Sequence, residues 1–293
     1  MKIRSLLPAL FASMLCTVPA LAQDSAPIFE PGLVSDGGVF GLTLSPDGMH
    51  ALWVRSGGKR DVLTIMEAGK VDGKWQAPAV APFSGQGGWK DIDPVFAPDG
   101  KSVVFQSTRP VPGKPERKGF DIWSIALGPA GWGPPAHLGN DINTDESESS
   151  ASVASNGSIY FMKANDKAGA QSDLWVSRLQ NGAYQAPENL GAPINTKERE
   201  SNPYIAPDES YLIYFSSDPR GLGDVDLYIS FRGKDGWGTP RHIDAPINSA
   251  AAEFTPWVHA GRLYFTRQVK QGERMIENIH SYPFDPLKYK KEG

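Results

Sequence analysis

One cysteine in 293 residues leaves no internal disulfide to be made. Basic charge is also short: 29 Lys and Arg face 33 Asp and Glu, for a formal net charge of −4. A nucleic-acid partner is therefore not expected, because phosphate binding needs a basic face. No Gly-x-Ser-x-Gly elbow occurs, and no Gly-x-x-x-x-Gly-Lys-Ser/Thr phosphate loop. The five histidines (His50, His137, His242, His259 and His280) form neither His-x-His nor His-Glu-x-x-His. A zinc site is not expected, nor any cofactor. What the chain does have is 31 Gly, 25 Pro, 8 Trp, 9 Tyr and 13 Phe. That composition suits many short strands joined by tight turns.

The first residues read as an export signal. Met1-Lys2-Ile3-Arg4 is basic, Ser5 to Pro19 is apolar, and Ala20-Leu21-Ala22 is a small-x-small cleavage signal. The apolar stretch is shorter than a membrane span and is interrupted by prolines. Residues 1–22 are expected to be removed, and Cys16 with them. The loss of Lys2 and Arg4 takes the net charge from −4 to −6. No later segment is apolar enough to cross a membrane, so the mature chain should be exported to the periplasm or the exterior. Without cysteine, its stability must come from its core.

Four markers recur in fixed order. The first is a turn: Ser45-Pro46-Asp47-Gly48, Ala97-Pro98-Asp99-Gly100, Ala154-Ser155-Asn156-Gly157, Ala206-Pro207-Asp208-Glu209 and a degenerate His259-Ala260-Gly261. In the Pro-Asp-Gly copies Pro presets φ, Asp caps the turn, and Gly takes the left-handed position. The second marker is Asp61-Val62-Leu63, Asp121-Ile122-Trp123, Asp173-Leu174-Trp175, Asp226-Leu227-Tyr228 and Asn278-Ile279-His280, at spacings of 60, 52, 53 and 52. The third is an aromatic three residues before Pro: Trp75, Trp132, Tyr184 and Trp237. The fourth is Ile142-Asn143-Thr144, Ile194-Asn195-Thr196 and Ile247-Asn248-Ser249.

Each unit reads as four strands: A before the turn, B after it, C with the Asp, and D after the aromatic. One such sheet cannot bury both faces, and radial packing of several can. The expected fold is all-β, a five-bladed propeller of four-stranded blades. Blades are placed at about 40–84, 90–143, 148–195, 200–248 and 253–287. The last lacks a D strand, and residues 26–35 should supply it and close the ring, leaving no open edge. One domain is expected over 23–287, with a frayed tail at 288–293.

These residues resemble the TolB-like propeller family, whose Pro-Asp-Gly repeats are relatives of WD-type repeats. The best matches are Ser45 to Gly48, Ala97 to Gly100, Asp173 to Ser177 and Asp226 to Ser230. The resemblance spans about residues 27 to 287. It implies an exported binding platform; similar repeats also precede hydrolase domains in some peptidases, whose elbow motif is missing here.

In a propeller the D-to-A and B-to-C connections share one face, around the channel mouth. Aligning the repeats places Asp91, Glu148, Glu200 and Glu253 at one position of strand A, where the first repeat has Val39. Carboxylates gathered at a mouth could do acid–base work, contact a ligand or hold a cation. Their repetition favours an architectural role, with Arg55, Lys163 and Arg267 at the ends of strand B as pairing partners. Trp89 and Trp257, near strand A, are candidates for ligand stacking. Asp61, Asp121, Asp173 and Asp226 are expected to tie backbone. Asp141-x-Asn143-x-Asp145 resembles a calcium loop but lacks its Gly and terminal Glu, so a plain turn is favoured and no metal is assigned. The B-to-C loop Thr108 to Gly119, with Arg109, Lys114, Arg117 and Lys118, is a candidate for specificity.

The expected function is therefore a monomeric, non-enzymatic scaffold that binds a protein, peptide or glycan at the mouth. The alternative is a glycoside hydrolase or lyase using two of the four carboxylates.

Overall fold

The computed structural model describes residues 25–290, except 115, 118, 145 and 166–170. The expected signal peptide, Cys16, Asp145, Lys118 and the last three residues lie outside the described residues. The chain is an all-β propeller of five small antiparallel sheets. The A strands are Val39–Leu44, Asp91–Phe96, Glu148–Val153, Glu200–Ile205 and Ala252–His259. The B strands are His50–Ser56, Ser102–Ser107, Ile159–Asn165, Tyr211–Ser216 and Arg262–Gln271. The C strands are Leu63–Val71, Asp121–Gly128, Gln171–Ser177, Asp226–Gly233 and Arg274–Pro283. Each A–B turn forms as its chemistry dictates. Asp47, Asp99, Asn156 and Asp208 each accept the backbone N–H two residues on, at 2.9–3.0 Å. Gly48, Gly100 and Gly157 follow at positive φ, and Glu209 holds the same conformation in the fourth copy.

Strand D is shorter than the repeats suggest. The proline after each aromatic removes a ladder donor, so the strand breaks into two pieces. Trp75, Trp132 and Trp237 pair with the far end of strand C, and Tyr184 closes a separate two-stranded ribbon with Leu179. Only Ala79–Val80, Ala136–His137, Glu188–Asn189 and Arg241–His242 run beside the middle of strand C.

The core lies between blades. Separate apolar clusters join each sheet to the next, one of them gathering Leu52, Ile65, Phe96, Phe105 and Trp123 between the first two. The repeated aromatics reach across these seams. Trp132 donates its indole N–H to Glu67 at 2.8 Å, Trp75 meets Phe29 edge-on, and Trp237 meets Tyr160 edge-on.

The N-terminal segment joins the last sheet. Ile28 bridges to His280, at the register where Val80, His137, Asn189 and His242 pair in the other blades. Phe29 N donates to Ile279 O at 2.8 Å, and Ser281 N donates to Pro27 O at 3.0 Å. The tail is tied further than expected. Pro286–Tyr289 forms a 3-10 turn, with Tyr289 stacked on Phe284 and its hydroxyl accepting from Asp244 N at 3.3 Å.

Candidate functional site

The four repeated acids are not presented to the channel mouth. Asp91, Glu148, Glu200 and Glu253 are each 0% exposed. Each Glu accepts from the backbone N–H and the hydroxyl of the residue four before it. For Glu148 the partner is Thr144, at 3.1 and 2.5 Å. For Glu200 it is Thr196, at 3.0 and 2.7 Å. For Glu253 it is Ser249, at 3.1 and 2.6 Å. These are locks on the D-to-A connection. Asp91 accepts instead from Ser84 Oγ at 2.8 Å and from Arg109 at 2.9 Å.

Of the expected cations, only Arg267 meets a repeated acid, at 2.6 Å from Glu253. Arg55 pairs with Asp36 at 3.2 Å, and Lys163 pairs with Glu146 at 3.0 Å. The loop read as a specificity element sends two cations inward. Arg109 is buried on Asp91, and Arg117 lies 2.7 Å from Asp121 and 3.4 Å from Glu148. Trp89 lies beside Arg109, 5.6 Å from its guanidinium. It is not among the residues that line the mouth cavity. Trp257 lines the channel constriction rather than the mouth cavity, and meets Tyr204 edge-on.

Backbone tying falls mostly to residues other than those expected. Asn143, Asn195 and Asn248 each bond both the N–H and the C=O of the residue after the strand C aspartate, at 2.7–3.1 Å. Asn143 is thus occupied within a turn. Asp226 does accept backbone N–H, from Leu222 and Gly223, whereas Asp61 is exposed. Asp121 and Asp226 lie 2.9 and 3.1 Å from His137 and His242, and Asp173 accepts from Asn189 at 2.9 Å.

What faces the channel is the residue two after each acid. Every A strand carries a bulge there, and the bulged residue has positive φ: Gly41, Asp93, Ser150, Asn202 and Thr255. Four of these are not glycine, so the ring holds local backbone strain. The ring is hydrogen-bonded across blades. Ser150 Oγ donates to Asp93 Oδ2 at 2.8 Å, and Asn202 Nδ2 donates to Ser150 Oγ at 2.7 Å. Gly41 N donates to Thr255 and Thr266 at 3.3 and 3.2 Å.

Below the ring the channel narrows to about 30 Å³, beside Pro94, Pro203, Pro256 and Trp257. Above it opens a cavity of about 340 Å³ on the face of the D-to-A and B-to-C connections. Its floor is Asp93, Ser150, Asn202 and Thr255, and its walls include Phe40, Leu63, Ile92, Phe120 and Phe254. Arg60, Lys90 and Ser149 complete the lining. Arg60 is ion-paired with Glu277 and lies 4.6 Å over the Phe40 ring.

Asp93 is the one carboxylate of that lining. It is 8% exposed, and its Oδ1 has no hydrogen-bond partner among the described residues. Burial pushes its carboxyl above the ordinary value of 3.8, against the Ser150 hydrogen bond and the Arg60 charge. Burial likewise raises Glu148 and Glu200, against the hydrogen bonds from Thr144 and Thr196. The folded state therefore keeps the Asp93 proton to higher pH than the unfolded chain does. Its contribution is fully favourable below the unfolded value, and stability is lost as pH rises through the folded one. Asp93→Asn should thus stabilise the protein by about 1–3 kcal/mol at about pH 8. Melting curves across pH should show the gain shrinking as the pH falls toward the unfolded value.

No family model and no curated protein matches the chain. Among solved structures it is similar to a putative TolB from Agrobacterium tumefaciens, at 15% identity and TM-score 0.52, covering 78% of this chain and 69% of that one. The chain has the TolB-like propeller fold. It is similar also to an α-L-arabinofuranosidase from Lactobacillus brevis, at 14% identity and TM-score 0.54, covering 90% and 94%. A third likeness is to the α-L-arabinofuranosidase PaAbf62A from Podospora anserina, at 10% identity and TM-score 0.51, covering 88% and 94%. At these identities the likeness is one of fold.

None of the nine residues singled out by sequence lines the cavity of this TolB-like propeller. The lining residues that carry its chemistry, Asp93, Lys90 and Arg60, were missed. One signal for Asp93 was present. Asp91-Ile92-Asp93-Pro94 is the only A strand with a second acid, at a position that is Gly41, Ser150, Asn202 or Thr255 elsewhere.

Proposed function

We propose that this protein is an exported, non-enzymatic propeller that binds a ligand in the channel-mouth cavity. Its working unit is the single domain 23–287 left once the signal peptide 1–22 is removed, acting as a monomer. The observation that carries the reading is the cavity itself. At about 340 Å³ it falls in the size range of ligand sites, roughly 300–1,000 Å³. Its lining also has their composition, apolar walls with a few polar groups at one end. The glycoside hydrolase reading has less support. That chemistry uses two carboxyl groups about 5–10 Å apart across the scissile bond. The lining offers Asp93 alone; the three repeated glutamates are held in turn hydrogen bonds, and Asp91 is held by Ser84 and Arg109.

The test pairs an activity assay with a binding assay. Aryl arabinofuranosides and related aryl glycosides should not be hydrolysed. A fragment screen by ligand-observed NMR should give saturable binding that Ile92→Trp removes by filling the cavity, with the melting temperature little changed. Turnover of any of these glycosides that Asp93→Asn abolishes would establish the enzyme reading instead.

A further inference from the structure

Asn-Gly occurs twice in the chain, at Asn156-Gly157 and Asn181-Gly182, and both asparagines are exposed. The dipeptide has a reaction of its own, because a glycine leaves the backbone nitrogen after the asparagine unshielded. The fold holds the two copies differently. Asn156-Gly157 belongs to an A–B turn and is tied through three groups. Gly157 N–H donates to Ala154 C=O at 2.9 Å, Asn156 Oδ1 accepts from Ser158 N at 2.9 Å, and Asn156 Nδ2 donates to Glu209 at 3.1 Å. Asn181-Gly182 turns the short ribbon between Leu179–Gln180 and Ala183–Tyr184. Among the described residues, neither the Asn181 side chain nor the Gly182 N–H has a hydrogen-bond partner. The ribbon belongs to no larger sheet and is held by two residue pairs. It can therefore open locally while the blade stays folded.

We propose that Asn181 is a site of spontaneous deamidation in the folded protein, and that the fold protects Asn156. The Gly182 nitrogen attacks Asn181 Cγ. The new N–Cγ bond forms, the Cγ–Nδ2 bond breaks, and the proton of the attacking nitrogen leaves with Nδ2 as ammonia. The resulting succinimide is opened by water at either carbonyl, to aspartate or to isoaspartate. At Asn156 the attacking nitrogen and both ends of the side-chain amide must be freed first. The two products at Asn181 differ in their fit. Asp72-Gly73, at the same turn of the first blade, has φ of 50° and 75°, against 51° and 78° for Asn181-Gly182. Aspartate is thus at home in this turn. Isoaspartate lengthens the backbone within the turn and breaks its two-residue geometry.

The test is peptide mapping by mass spectrometry after incubation of the protein in mildly alkaline buffer, folded and in urea. In urea the two asparagines should convert at similar rates, since each is followed by Gly and then a small residue. In the folded protein Asn181 should convert about ten-fold or more faster than Asn156, the factor that one or two hydrogen bonds to be broken impose. Its peptide should accept a methyl group from an isoaspartyl methyltransferase. Asn181→Gln should remove the change, and Asn181→Asp should keep the melting temperature of the parent. Equal rates at the two sites in the folded protein, or faster conversion at Asn156, overturn the inference. So does an Asn181 still intact in the folded protein when its conversion in urea is complete. A lower melting temperature for Asn181→Asp would contradict the fit of aspartate to the turn.

Discussion

Deleting Ala26 to Ser35 is expected to abolish cooperative folding, or to leave a protein that aggregates on warming. The segment supplies the outer strand of the last blade. Its deletion removes backbone pairing from Ile279 and Ser281, through Phe29 and Pro27, and takes away the Ala26 C=O that lies 2.7 Å from the His280 side-chain Nδ1. It also removes the Ser35 hydroxyl, which bonds both Ile279 N and Ile279 O at 3.2–3.3 Å. Val34 and Ala26 are buried in two different seams of that blade, and Phe29 meets Tyr264 edge-on at 5.2 Å. The combined loss exceeds about 5 kcal/mol, which is comparable with the whole stability of many domains. The strand left behind is an unpaired edge, and such edges pair with other chains. Differential scanning calorimetry with light scattering checks both. An unchanged melting temperature in a monodisperse sample would show that the ring does not depend on this segment.

The second large effect is expected at Glu253. Glu253→Ala leaves the Arg267 guanidinium buried, with only the carbonyls of Pro246 and Ile247 to receive it. Breaking a buried pair from one side costs about 3–5 kcal/mol. Glu253→Ala combined with Arg267→Met should recover much of that loss, because no charge is then stranded. Urea unfolding of the two singles and the double completes the cycle. Probe affinity at the channel mouth should stay unchanged wherever the protein is folded, since neither residue lines that cavity. Lost affinity at unchanged stability would return Glu253 to the ligand-contact role that its place in the repeat suggested.

The architecture was legible because turn chemistry repeats visibly. Pro-Asp-Gly permits few conformations, and its spacing counts the blades. The place of residues 26–35 followed from a missing strand at one end and a spare one at the other. The site was less legible because of the bulge in each A strand. Side chains alternate strictly along a regular strand, so one extra residue changes what faces inward. Asp91 and Asp93 would share a face without it. With it, Asp93 reaches the axis while Asp91 turns to Ser84 and Arg109. Asn143, Asn195 and Asn248 repeat plainly, yet their two-ended bonds to Ile122, Leu174 and Leu227 span 21 residues of chain. Lys90 precedes its repeated acid as Arg199 does, with the same pair of backbone bonds to Thr108 that Arg199 makes to Ser217, whereas Arg60 belongs to no repeated marker, and only the closed ring brings the two to one cavity.

The central claim is that the repeated acids hold turns together while Asp93 stands apart, strained and under-bonded at the mouth. Urea unfolding of Glu253→Gln and Asp93→Asn, side by side at about pH 8, tests it most directly. The prediction is opposite signs: Glu253→Gln loses about 1.5–3 kcal/mol with its charge-assisted bond, and Asp93→Asn gains about 1–3 kcal/mol. Destabilisation by Asp93→Asn, or a Glu253→Gln variant as stable as the parent, would contradict the account.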